Sequence, residues 1–129
     1  MSLTGTVSLK DALRYQGKGP MLTYLLHRIG GLSMVIFISL HVLAGYLLNR
    51  PWGATTGVFI DSIYENWIFQ IFIFFCVLFH VINGLRISIL DLWPRLIEHQ
   101  REAIWLEWVV FIPVYAIAVY VIVQAALGG

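Results

Sequence analysis

Residues 29–48 read IGGLSMVIFISLHVLAGYLL, an uninterrupted run without Lys, Arg, Asp or Glu. An α-helix rises about 1.5 Å per residue, so about 20 helical residues cross a hydrocarbon core about 30 Å thick. The run is long enough to do this and therefore predicts a membrane-spanning helix. Because the helix-breaking pair Gly19-Pro20 lies upstream, we expect this helix to begin near Leu22 and to end at Leu48.

Two further apolar runs follow, from Trp67 to Leu85 and from Trp108 to Leu127. Pro113 lies in the first turns of the last run, where a membrane helix can tolerate it. With helical extensions, the three predicted spans cover residues of about 22–48, 66–91 and 104–127. The 129 residues allow one domain, 1–129, and only 12% are charged, whereas a soluble domain is usually near a quarter charged. The sequence thus predicts an all-α integral membrane protein with three transmembrane helices.

The distribution of Lys and Arg predicts the orientation of the spans. Basic residues are concentrated before the first span and in the second connection, namely Lys10, Arg14, Lys18, Arg28, Arg86, Arg95 and Arg101. The first connection carries only Arg50, beside Asp61 and Glu65. We therefore expect a cytoplasmic N-terminus and an outer C-terminus. A net charge of +1 gives no sign of nucleic-acid binding.

The ends of the spans carry two further groups of residues with ordinary roles. Tryptophans typical of an interfacial aromatic belt are Trp67, Trp93, Trp105 and Trp108. The second connection has mixed charge, from Asp91, Arg95, Glu98, Arg101, Glu102 and Glu107, and we expect it to be solvated, with local ion pairs.

Four ionisable side chains lie within the spans or at their edge: His27, Arg28, His41 and His80. Because an ionisable group in a bilayer is costly, each is a candidate functional residue. His80 has Gly84 one turn away on the same helix face, which would leave a flat gap for a porphyrin, and imidazole is a haem-iron ligand. A histidine bonded to a neighbouring helix, with Gly84 as a packing residue, fits the same spacing. Spacing alone leaves both interpretations open.

His27 and Arg28 lie at the cytoplasmic edge of the first span. A histidine there can exchange protons, and a guanidinium can donate hydrogen bonds to a carbonyl or carboxylate. An interfacial pair, with Arg28 reaching the lipid headgroups, is the simpler interpretation of these two residues alone.

Two segments resemble the signatures of a known family. Residues 26–31 read LHRIGG, and residues 80–86 read HVINGLR, with Asp91 downstream. The first is similar to the His-Arg-x-Ser/Thr-Gly signature, and the second to the His-x-x-x-Gly-Ile/Leu-Arg signature, of the cytochrome b membrane-anchor subunit of succinate dehydrogenase (respiratory complex II). Both occur in the family's order on the first and second spans, so the resemblance covers nearly the whole chain.

The resemblance implies a role for each matching residue. His80 matches the axial ligand of haem b, and Arg28 matches a residue beside the quinone site. His27 matches a neighbour of that site and of a haem propionate. Gly84 and Arg86 match signature positions next to the ligand, so we expect both to contribute to cofactor binding.

The sequence departs from the family pattern at three positions. Gly30 replaces the Ser/Thr of the first signature. Ile87 lies where some members carry a second histidine. Tyr24, with Thr23 adjacent, lies where some members place a quinone-site serine, so Tyr24 is our candidate for that position.

His41 resembles the extra first-span histidine of some small bacterial and archaeal anchors. Measured from inner ends near Leu22 and Asp91, His41 should lie about 28 Å deep and His80 about 16 Å deep. A difference of roughly 12 Å predicts that they do not share one iron. The opposite ligand to His80 should then come from a second small anchor chain. His41 is either the ligand of a second, outer haem or a hydrogen-bonding residue without a cofactor.

The implied function is that of the anchor subunit of a bacterial succinate:quinone oxidoreductase in the plasma membrane, binding one or two haem b groups and a quinone. The chain has no GxGxxG motif, and its single cysteine, Cys76, cannot hold an iron–sulfur cluster. We therefore expect a flavoprotein subunit, an iron–sulfur subunit and a second membrane-anchor subunit as partners. A fumarate reductase anchor, with reversed electron flow, and a cofactor-free structural scaffold are the alternatives.

Overall fold

A computed structural model describes residues 19–128. Its helices are α1 (Gly19–Leu48), α2 (Ala54–Glu65), α3 (Trp67–Leu92) and α4 (Gln100–Leu127), with a 3₁₀ helix at Pro94–His99 before α4. Three segments are long and apolar enough to cross a membrane, Pro20–Leu48, Trp67–Leu92 and Pro94–Leu127. The predicted all-α membrane fold with three spanning helices is confirmed, and residues 19–128 contain no strand.

The first spanning helix begins earlier than the sequence predicted. Helix α1 starts at Gly19 rather than near Leu22, and Pro20 lies in its first turn. Proline is tolerated there because the first N–H groups of a helix have no partner within the helix. Thr23, which is fully buried, donates a hydrogen bond from Oγ1 to the Pro20 carbonyl (3.0 Å) and so stabilises this turn.

The connection between the first two spans contains a helix that no apolar run in the sequence predicts. Helix α2 packs back against the end of α1, and a β-carbon at Gly57 would lie only 2.8 Å from the Leu48 backbone nitrogen. Only a glycine permits this approach. The Asn66 side chain then caps α3 by accepting hydrogen bonds from the Ile68 and Phe69 N–H groups.

Helix α3 lies between the other two spanning helices, packing against both α1 and α4, while α1 and α4 touch each other little. An aromatic cluster, formed by Phe75, Phe79, Trp108, Phe111 and Tyr115, fills the α3–α4 interface. The ring of Trp108 packs 5.5 Å from that of Phe79. Its place in an interfacial aromatic belt stays a prediction.

Candidate functional site

Two of the predicted histidines meet between α1 and α3. The imidazole rings of His27 and His80 stack with centroids 4.0 Å apart and planes 7° from parallel. Each side chain is half-buried. The two signatures, 53 positions apart in sequence, are thereby joined into one site.

Glycines on α1 make this meeting possible. A β-carbon at Gly31 would lie 2.8 Å from Cε1 of His80, and one at Gly30 would lie 3.0 Å from the Cys76 carbonyl oxygen. Larger residues would hold the two helices apart. The glycine that replaces the usual Ser/Thr at position 30 therefore has a structural reason, which is the close contact with α3.

A hydrogen bond fixes which nitrogen of His80 carries its proton. Nδ1 of His80 lies 3.0 Å from the backbone carbonyl oxygen of His27. Because a carbonyl oxygen only accepts, Nδ1 must be the protonated nitrogen, and the lone pair of the neutral ring is on Nε2. Within residues 19–128, Nε2 makes no hydrogen bond. The ring thus offers one nitrogen for coordination, and its other nitrogen is anchored, as in metal-bound histidines.

The space over Gly84 is occupied by a side chain. A β-carbon at Gly84 would lie 3.4 Å from Cε1 of His27, so the His27 ring covers the position that was predicted to be an open gap. Nδ1 of His27 is buried and has no hydrogen-bond partner within residues 19–128. An unpaired buried nitrogen is costly, which makes this atom the candidate contact for a bound polar group.

Arg28 points away from the histidine pair, because consecutive helix residues do not share a face. Its Nη1 donates a 2.8 Å hydrogen bond to the Tyr24 hydroxyl, and its guanidinium lies 5.4 Å from the centre of the Tyr24 ring. Both side chains are exposed. The predicted quinone residues are therefore divided between two faces of α1. Arg28 and Tyr24 lie together on its exposed face, while His27 faces α3.

Arg86 belongs to a buried polar cluster between α3 and α4. Its Nε and Nη2 donate to Oδ1 of Asn83 at 3.2 and 2.7 Å, and Nε lies 2.9 Å from Oε2 of Glu107. Glu107 was expected in a solvated connection. It lies instead within α4, which begins at Gln100, and its side chain is 1% exposed. That prediction was wrong because Arg86 neutralises the charge inside the helix pair. The signal available in the sequence was an acid adjoining the third apolar run.

His41 lies far from the other histidines. It follows His27 by 14 positions, or about 21 Å along α1. Because His80 stacks on His27, His41 and His80 lie further apart in depth than the roughly 12 Å predicted from the helix ends. The exposed ring of His41 lies 5.2 Å from that of Tyr64. Both line an open, mainly apolar cavity of about 630 Å³ to which α1, α2, α3 and α4 all contribute. The structure therefore separates His41 from the His27–His80 pair.

No group of three or more His, Cys, Asp or Glu side chains within residues 19–128 could hold a metal ion by itself. A porphyrin supplies most of the ligands of a haem iron, so a haem site does not require such a group of side chains.

The succinate dehydrogenase/fumarate reductase transmembrane subunit family matches residues 8–123. The chain belongs to this family. It is also 28% identical over 101 residues to the succinate dehydrogenase 2 membrane subunit SdhC of Mycobacterium tuberculosis, covering 76% of this chain and 73% of that protein. The stacked histidines come from the two segments that resemble the family's signatures.

Membership of this family makes the chain a membrane subunit of an enzyme complex. A subunit of this kind associates with the other subunits of its complex and with the lipid bilayer. Most large apolar side chains of α1 and α4, such as Leu32, Val35, Ile117 and Tyr120, are exposed, as expected of surfaces covered by lipid or by partner helices.

Proposed function

We propose that the chain is the cytochrome b-type anchor of a bacterial succinate:quinone oxidoreductase, in which it binds one haem b and takes part in a quinone site. The observation that carries this proposal is the anchored imidazole of His80. Its Nδ1 donates to the His27 carbonyl oxygen and its Nε2 is left with the lone pair.

The residues present fit a haem in two respects. His80 would supply an iron-binding nitrogen, and the buried, unpartnered Nδ1 of His27 would donate to a polar edge group such as a propionate. Gly84 would allow close approach of the His27 ring rather than of the porphyrin. When bound, haem b supplies a one-electron carrier within the membrane.

Arg28 and Tyr24 support a quinone site on the cytoplasmic side. The exposed guanidinium is held by the Tyr24 hydroxyl and keeps further N–H groups available, so it can donate to a quinone carbonyl oxygen. A carbonyl that gains electrons gains basicity, and a guanidinium beside it stabilises the developing negative charge. His27, on the adjacent helix face, provides an ionisable group near the same edge.

The reaction needs partners. Succinate oxidation requires a flavoprotein subunit, and an iron–sulfur subunit delivers electrons from it to the cytoplasmic side of the membrane. A second small anchor subunit would supply another iron ligand and complete a helical bundle with this chain. The excess of basic residues before α1 and after α3 supports a cytoplasmic N-terminus in a bacterial plasma membrane.

A reduced-minus-oxidised spectrum of the purified complex, with haem quantified per flavin, tests the proposal. We expect a low-spin b-type spectrum in the wild type. His80→Ala removes one axial nitrogen, so haem should be lost or become high-spin. Tyr46→Phe, an exposed change elsewhere on α1, is the control and should leave the spectrum unaltered.

Two results would contradict this function. A wild-type complex without haem would leave the chain as a structural scaffold. A His80→Ala complex with the wild-type haem content and low-spin spectrum would show that another residue binds the iron.

A further inference from the structure

Glu107 is the most deeply buried acid among the described residues. Its side chain is 1% exposed, against 10% for its partner Arg86. Neither of its carboxylate oxygens accepts a hydrogen bond within residues 19–128, although Nε of Arg86 is 2.9 Å away. The contact is therefore mainly a charge pair.

The guanidinium of Arg86 is fixed from two sides. Asn83, which is fully buried on α3, accepts hydrogen bonds from two N–H groups of Arg86. Glu107 approaches Nε of Arg86 from α4. A buried ion pair is expensive to desolvate and gives little net stability, whereas removing one partner leaves a charge in a medium that cannot solvate it. Neutralising Arg86 is thus a stronger reason for a buried Glu107 than stabilising the fold.

The cluster lies close to the histidine pair. Arg86 follows His80 by six positions, about 9 Å along α3, and lies two positions beyond Gly84, over which the His27 ring packs. Inside a membrane protein, charges are poorly screened, so they act over such distances. A net charge at Arg86 would therefore be felt at the imidazoles.

We propose that Glu107 is a positioning residue that holds Arg86 in a neutral pair on the α4 side of α3 and thereby keeps a net positive charge away from the His27–His80 site. The inference rests on the proposed function, since its effect is on the haem that His80 would bind. A positive charge near a haem favours the reduced form, which carries one positive charge fewer. The Glu107–Arg86 pair thus keeps the haem midpoint potential lower than Arg86 alone would.

A redox titration of the haem in the purified complex tests this. Glu107→Gln keeps the side-chain shape but leaves Arg86 uncompensated, so the midpoint potential should rise. Glu107→Asp keeps the charge and should restore a potential near that of the wild type. Glu102→Gln is the control: it removes an exposed acid from the same helix and should leave the potential unchanged.

The double variant Arg86→Gln/Glu107→Gln separates charge from packing. It removes both charges, so its potential should lie below that of Glu107→Gln, whereas a merely structural role for Glu107 predicts a shift at least as large as in the single variant. If Glu107→Gln fails to assemble, assembly of the double variant with a near-wild-type potential supports the proposal, and failure of both overturns it.

Failure of this inference and failure of the proposed function give different results. A haem-containing wild type with an unshifted potential in Glu107→Gln would overturn this inference and leave the proposed function standing. A wild-type complex without haem would overturn both.

Discussion

Gly31 and His80 are in contact so close that position 31 has no room for a side chain: a β-carbon there would lie 2.8 Å from Cε1 and 3.2 Å from Nδ1 of His80. The imidazole cannot retreat without leaving the His27 carbonyl and the His27 ring. The orientation of His80 therefore depends on a glycine of the neighbouring helix.

Gly31→Ala should displace the His80 ring and destabilise the α1–α3 contact by about 1–3 kcal/mol, the usual cost of overpacking. Gly45→Ala on the same helix is the matched control, because a β-carbon at Gly45 meets nothing within 4 Å. The free energy of unfolding in a denaturing-detergent titration measures the difference. Equal stability of the two variants would contradict the contact.

Arg28→Leu should reduce quinone reduction about 10- to 100-fold, the range expected for losing a hydrogen bond from a charged group. Succinate oxidation with a soluble artificial acceptor should survive, because the change lies outside the subunits that oxidise succinate. Both rates are measured on the same purified complex.

Arg50→Leu is the control for Arg28. Arg50 lies over the ring of Tyr46, four positions before it, at 5.0 Å, which repeats the Arg28–Tyr24 arrangement at the other end of α1. The Arg50→Leu variant should leave both quinone reduction and succinate oxidation unchanged. Loss of quinone reduction in both variants would mean that an exposed arginine at either end of α1 matters, and the assignment of Arg28 to a quinone site would be wrong.

Tyr64 links α2 to α1 by donating a hydrogen bond from its hydroxyl to the Phe37 carbonyl. Burial raises the pKa of Tyr64 above its usual value, so the folded protein holds the phenolic proton more tightly than the unfolded chain does. The stability gained is complete below the unfolded pKa of about 10 and is lost as the pH rises through the folded pKa.

Tyr64→Phe should therefore cost about 1 kcal/mol at neutral pH, and the difference from wild type should shrink above about pH 10. The free energy of unfolding of both proteins, determined at neutral pH and above about pH 10, measures this difference. Tyr46→Phe removes the hydroxyl of an exposed tyrosine and should change neither value. A difference that stays constant with pH would contradict the buried hydroxyl.

The three spanning helices could be predicted because their cause lies within each segment: about 20 apolar residues must be helical in a bilayer. Helix α2 could not, because its stability comes from packing against Leu48 through Gly57, a contact between segments. The start of α1 was misplaced because Pro20 breaks a helix interior but suits a first turn.

The sequence singled out two residues of the candidate site but not their arrangement. His27 and His80 stand out by their position in the spans and by the resemblance to the family signatures, whereas nothing in the sequence predicts that rings on two different helices will stack. Glu107 was missed for the same reason: a carboxylate near a span end is solvated unless a cation from another helix, here Arg86, lies opposite.

His41 provides the last prediction, since the sequence allows either a second haem ligand or a residue without a cofactor. A histidine that binds a metal almost always donates its other ring N–H to an oxygen acceptor. His80 does this through the His27 carbonyl, whereas His41 makes no hydrogen bond within residues 19–128 and only packs beside Tyr64.

We therefore expect one haem per flavin in the wild-type complex, and the same value in His41→Ala. The measurement is a pyridine haemochrome assay normalised to flavin, with His80→Ala as the variant that must lose haem. The cavity beside His41, about 630 Å³ and mainly apolar, would then hold lipid or a partner side chain. Two haems per flavin, falling to one in His41→Ala, would instead establish His41 as an outer haem ligand whose anchoring acceptor comes from a partner subunit.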